Sequence, residues 1–112
     1  MSPPIPNKSH YGYPVDRVTM ILSMMRALWG EVSPELRSAS IKWDDHCVYV
    51  YFFYDGPISE ENEESAQCVV TEVIACFPEH QLEVNIQRLD YPHPLPQDAG
   101  EVVYRRREAK PC

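Results

Sequence analysis

Eight consecutive residues, Cys47 to Tyr54, carry no charge, no glycine and no proline, and consist of Val, Tyr and Phe after the leading Cys. Branched and aromatic side chains at this density favour a pleated strand, where they pack on neighbours without crowding a preceding helical turn. The parity of the run places Val48, Val50, Phe52 and Tyr54 on one face and Tyr49, Tyr51 and Phe53 on the other. Apolar groups on both faces predict a central strand, or one whose second face is covered from outside the core. Asp55-Gly56-Pro57 then stops the strand, and Ser59 stands ready to cap a helix. That helix carries Ala66, Val69, Val70, Val73, Ile74 and Phe77 at i, i+3, i+4, i+7 spacing, and Pro78 ends it. The middle of the chain is therefore a strand feeding an amphipathic helix.

The flanking segments extend this pattern. From Val15 to Trp29, the positions Val15, Val18, Leu22, Met25 and Trp29 recur at helical spacing, widened by Ile21 and Leu28. This stripe is the expected buried face of a first helix that stops at Gly30. Leu36 to Trp43 alternates, with Ala39, Ile41 and Trp43 opposed to Ser38, Ser40 and Lys42, and Asp44-Asp45-His46 reads as a turn. Leu82 to Leu89 alternates again, a proline-rich loop runs from Asp90 to Gly100, and Glu101 to Arg107 reads as a last strand. The order α-β-β-α-β-β predicts an α+β fold, a two-layer sandwich with a mainly antiparallel four-stranded sheet and two helices. Prolines at 3, 4, 6 and 14 mark residues 1–14 as a flexible leader, 15–108 as a single domain and 109–112 as a tail.

Charge narrows the partners. Seventeen acidic residues against ten basic ones give a net charge of −7, which disfavours nucleic acid and anionic membranes and favours cationic surfaces. The chain has no membrane-length apolar run and no signal-peptide pattern at its start, so a cytoplasmic location is expected. The Asn7-Lys8-Ser9 sequon is then inert. Four cysteines without CxxC spacing predict reduced thiols and no zinc site. The histidines at 10, 46, 80 and 93 read as solvated loop residues, and Asp44, Asp45, Asp55 and Asp90 have no evident partner for acid–base work. The four glycines are isolated, so no phosphate-binding loop is present. We expect no catalytic residue, no metal, no cofactor and no enzyme activity.

Recognition by a surface remains. Between Glu31 and Glu64 nine acids face only Arg37 and Lys42, and Glu60, Glu61, Glu63 and Glu64 exceed what a helix N-terminus needs. With Asp44, Asp45 and Asp55 they are read as one acidic edge that would speed encounter with a basic partner. Tyr49, Tyr51 and Tyr54 could add rigid anchors, and Asp90 and Tyr91 could join from the stiff proline-rich loop.

The landmarks Arg26-Ala27-Leu28-Trp29-Gly30-Glu31-Val32, Tyr54-Asp55-Gly56-Pro57-Ile58-Ser59-Glu60-Glu61, Thr71-Glu72-Val73-Ile74-Ala75, Arg88-Leu89-Asp90-Tyr91-Pro92 and Val103-Tyr104-Arg105-Arg106 resemble small bacterial immunity proteins of contact-dependent growth inhibition systems. The likeness spans about Val15 to Glu108. It implies a non-catalytic antidote that binds and blocks the C-terminal toxin domain of a large secreted effector, in many cases a nuclease with a basic cleft. The other reading is a small cytosolic adaptor or regulatory subunit that homodimerises or docks on another protein. An antidote would be encoded beside its toxin and would abolish its activity.

Overall fold

Asp44 shapes the first turn by accepting hydrogen bonds from the backbone N–H groups of His46 (2.8 Å) and Cys47 (2.7 Å). The turn joins β1 (Leu36–Trp43) to β2 (Cys47–Tyr54) as an antiparallel hairpin in the computed structural model, which describes residues 16–108. The leader, with its sequon and His10, and the tail lie outside the described residues. Within the hairpin Ala39, Ile41 and Trp43 stand opposite Phe52, Val50 and Val48, so these six share one face as their parity requires. Ser38, Ser40 and Lys42 oppose Phe53, Tyr51 and Tyr49 on the other.

After β2 the chain enters α2 (Glu60–Ala75), where the Ser59 hydroxyl accepts the Asn62 N–H at 3.1 Å. The sixteen residues of α2 carry the chain about 24 Å, close to the length of β2, and deliver it back where β2 began. Gln81 N–H donates to the carbonyl of His46 at 2.8 Å, and β3 (Gln81–Arg88) runs parallel to β2 over eight register pairs. β4 (Glu101–Arg105) pairs instead with β1, giving the order β3-β2-β1-β4. The expected mainly antiparallel sheet is thus a mixed one, and β3 and β4 occupy opposite edges rather than forming a second hairpin. A helix of strand length makes the β2-α2-β3 step a parallel crossover, and the long 89–100 segment carries the chain to the far edge. Gly100, at φ +93°, starts β4 against β1, where a Cβ would lie 2.5 Å from the Ile41 carbonyl oxygen.

Both helices contribute to one core with the Val48, Val50, Phe52 and Tyr54 face of β2. α2 buries Ala66, Val69, Val70 and Val73, followed by Phe77, as its periodicity predicts. The first helix, α1 (Arg17–Ala27), starts at Asp16, whose carboxylate accepts the Thr19 N–H at 2.8 Å. Its expected main row is turned outward, although Leu28 is buried as expected and Val15 lies outside the described residues. Met20, Met24 and Ala27 are buried, whereas Val18, Leu22, Met25 and the following Trp29 are exposed by 62, 51, 44 and 75%. At 100° per residue these two sets lie on opposite sides of the helix. Each has apolar spacing, so periodicity alone could not decide which one faces the sheet. Arg17 and Arg26 are both exposed to solvent. No described helix is long and apolar enough to cross a membrane.

The orientation of α1 can be measured directly. Met24→Ala should lower unfolding free energy by about 2–5 kcal/mol, whereas Leu22→Ala should stay within about 0.5 kcal/mol of the parent, both read by urea titration. The reverse ranking would turn the helix over.

Candidate protein-binding surface

Strand directions gather the start of β1 and the ends of β2, β3 and β4 at one end of the sheet. Charges fill that end. Arg37, almost wholly buried, donates from Nε to Glu108 Oε2 (2.7 Å), from Nη2 to Glu108 Oε1 (3.1 Å) and from Nη1 to the Leu89 carbonyl (2.7 Å). Arg106 joins the same carboxylate (2.9 Å) to Asp55 (3.0 Å) and to the Pro34 carbonyl (3.0 Å). Asp90 receives Arg88 from Nε (3.0 Å) and Nη2 (3.1 Å) and the Gly56 N–H (2.7 Å), and the Tyr91 N–H reaches Asp55 (3.3 Å). Hydrogen bonds from Arg37 foremost, against the opposing effect of burial, hold the Glu108 carboxyl below its ordinary value. Arg88 does the same for Asp90, helped by the Gly56 N–H.

Three residues expected at a contact surface therefore have internal tasks. Asp55 and Asp90 brace the loops after β2 and β3, and the Arg37 guanidinium lies 5.7 Å from the centroid of the Tyr91 ring. Tyr54 is corrected outright. Its side chain points to the helices, is 1% exposed, and donates its hydroxyl to the Asn62 carbonyl at 3.1 Å. Burial first, then Glu31 and Glu35, pushes its pKa up to about 12. Asn62 completes this corner by donating to Glu35 Oε1 at 3.1 Å, and it escaped notice among four glutamates. His80, read as solvated, is buried edge-on to Phe77.

Asp44 and Asp45 occupy the other end of the sheet. An eight-residue strand separates them from the start of α2 by more than about 20 Å, so the acids form two groups and not one edge. Asp44 is committed to its turn and also accepts the Tyr49 hydroxyl at 3.2 Å. Tyr49 and Tyr51 lie half-buried on the face without helices, with Lys42 Nζ 5.6 and 5.5 Å from their ring centroids. Tyr51 also stacks on the buried Phe53 at 6.4 Å.

Glu60, Glu61, Glu63 and Glu64 are different. All four are exposed, and none forms an ion pair among the described residues. The sequence reading also missed a second surface, the outer row of α1. It borders a cleft of about 320 Å³ lined by Met25, Leu28, Trp29, Gly30, Val32, Val103 and Tyr104.

No group of three or more His, Cys, Asp or Glu among the described residues could hold a metal ion. The chemistry on offer is that of a binding domain, with a charged helix start and an apolar helix face held on a braced sheet. Comparison with known families agrees: the chain belongs to the MafI2 immunity protein family, whose model it matches over residues 17–108. It is an immunity protein of a polymorphic toxin system and not an enzyme. No curated protein matches the chain.

The brace has a pH signature. Because the folded pKa of Glu108 is lowered, its stabilisation is complete above the ordinary value of 4.5 and is lost as pH falls below it. Glu108→Gln should destabilise the fold by on the order of 3 kcal/mol at pH 7 by leaving Arg37 buried and short of a partner. The difference from the parent should shrink as pH falls below about 4.5 in urea titrations.

Proposed function

We propose that this immunity protein neutralises the C-terminal toxin domain of a contact-delivered effector, in the cytoplasm of the producing cell, by binding it through the acidic first half of α2. One observation carries this reading: an immunity-family chain of net charge −7 leaves Glu60, Glu61, Glu63 and Glu64 exposed on a single helix start, without an ion pair among the described residues. Ser59 and the helix N-terminus account for the first turn, since carboxylates there meet roughly +0.5 charge and open N–H groups. Glu64 lies beyond that turn, and the density of charge exceeds what the dipole uses.

The partner this surface suits is basic, as a nuclease domain with a phosphate-binding cleft would be. Carboxylates arranged on a rigid helix raise the rate of encounter with such a cleft and pair with its Lys and Arg once bound. The protein would then act by occupancy, without bond making or breaking. Tyr49, Tyr51 and Asp45 are secondary candidates, set apart from α2 by the length of β2. Asp44, Asp55 and Asp90 serve the fold first.

Co-expression with the toxin domain encoded beside it should yield a stable complex without toxic activity. Glu60→Lys combined with Glu64→Lys should slow association on the order of 10-fold or more at low ionic strength and flatten its salt dependence, with the urea midpoint nearly unchanged. An unaltered on-rate at low salt would remove α2 from the contact.

A further inference from the structure

We infer that the outer face of α1 is the apolar half of the toxin-docking surface, receiving an apolar patch that is rimmed by Lys and Arg on the toxin domain. This inference rests on the toxin-binding reading above and assigns that surface its anchoring residues. Val18, Leu22, Met25 and Trp29 form a continuous outer row, extended past the helix by Val32, and each is more than two-fifths exposed. None of them supports the core, which is filled from the opposite side of the helix by Met20, Met24 and Ala27. A Trp exposed by 75% beside a 320 Å³ cleft has the form of an interface anchor, since Trp and Met are enriched at protein contacts.

Geometry puts this row next to the acidic one. α1 begins near β4, where Arg17 pairs with Glu101 at 2.9 Å, opposite Ile41 of β1. Its end leads into the start of β1, at Leu36, which pairs with Tyr54. α2 starts just after Tyr54 and runs back the other way. The two helices are therefore antiparallel neighbours in one layer, and α1 finishes at the end where Glu60 to Glu64 begin. An apolar row and an acidic row lie side by side.

Charge selects the occupant. Charged residues are depleted from interface cores, so the start of α2, with four carboxylates in its first five residues, supplies no apolar centre by itself. The row on α1 extends it with apolar area. A second copy of the chain is a poor fit, because two surfaces from chains of net charge −7 would meet with their α2 carboxylates beside the seam. The helix α1 has no acid between Arg17 and Gly30, and Arg26 alone cannot offset those groups. A basic toxin domain gains from the same carboxylates that would repel a copy.

The test measures binding of the adjacent-encoded toxin domain, inactivated for handling, to the full chain and to two variants. The first is Leu22→Ser with Trp29→Ser, and the second is Val18→Ser with Met25→Ser, so that a folding defect in one leaves the other informative and neither changes the charge; Val102→Ser, an exposed apolar site on the face without helices, is the control. Both variants should keep the parental urea midpoint and association rate, while the dissociation rate rises roughly 30-fold or more, the mark of a hot spot. Val102→Ser should change neither rate. If the parent binds and both variants dissociate at the parental rate, the α1 face is not an anchor and the toxin-binding reading still stands. If the parent itself fails to bind the toxin domain, that reading falls and this inference with it. A parental homodimer that the α1 variants convert to monomer would also overturn the proposal, by giving the face to a second copy.

Discussion

Strand β2 is hydrogen-bonded on both sides and apolar on both faces, and the remainder of the fold is arranged around it. Its Val48, Val50, Phe52 and Tyr54 face is the floor on which both helices pack. Because α2 is about as long as β2, the chain returns to the His46 end before it can turn into β3, and a parallel partner results. β3 then fills one edge of β2 while β1 fills the other, so β4 can join only at an outer edge, that of β1 or of β3, and the long 89–100 segment takes it to β1. The mixed sheet follows from lengths, with no preference of β3 for parallel pairing required.

That topology brings together four strand ends, and the ion network follows from their convergence. Arg37 sits where β1 begins, Asp55 follows β2, Arg88 and Asp90 close β3, and Arg106 and Glu108 follow β4. A buried guanidinium without partners would be strongly unfavourable, so Glu108 and the Leu89 carbonyl are needed wherever Arg37 is enclosed. The network consumes three basic groups, Arg37, Arg88 and Arg106, and Arg17 is paired separately with Glu101 at the start of β4. With those arginines engaged, none of them is paired with the carboxylates at the start of α2.

Much of this was legible from residue order. The β1–β2 hairpin, the faces of β2, the Ser59 cap and the buried row of α2 all follow from alternation, turn chemistry and helical spacing. What escaped did so for identifiable reasons. α1 has apolar residues at helical spacing on two opposite sides, and the expected buried row ran through Val18, Leu22, Met25 and Trp29 and left out Met20 and Met24. Tyr54 shares its chemistry with Tyr49 and Tyr51, and its parity, already visible, assigned it to the core face with Phe52. Asp55 and Asp90 are thirty-five positions apart, and nothing local announces that both are tied to arginines at one sheet end. The four carboxylates at the start of α2 are exposed, but their expected union with Asp44 and Asp45 ignored the length of the intervening strand.

The two helices share a division that bears on how such a protein can specialise. On α1 the sheet side must satisfy core volume through Met20, Met24 and Ala27, while the outer row has no packing duty. On α2 the same holds for Ala66, Val69, Val70 and Val73 against Glu60, Glu61, Glu63 and Glu64. Substitution on an outer row changes neither buried volume nor a buried hydrogen bond, so its effect on folding is small. A surface built in this way can be rewritten for a different toxin without passing through an unfolded intermediate sequence. In the proposed interface the roles of the two rows separate kinetically: long-range charge acts before contact and governs encounter, whereas apolar anchors act only after water is expelled and govern release. Affinity and specificity can then be adjusted on one rigid layer, with the braced sheet beneath it left untouched.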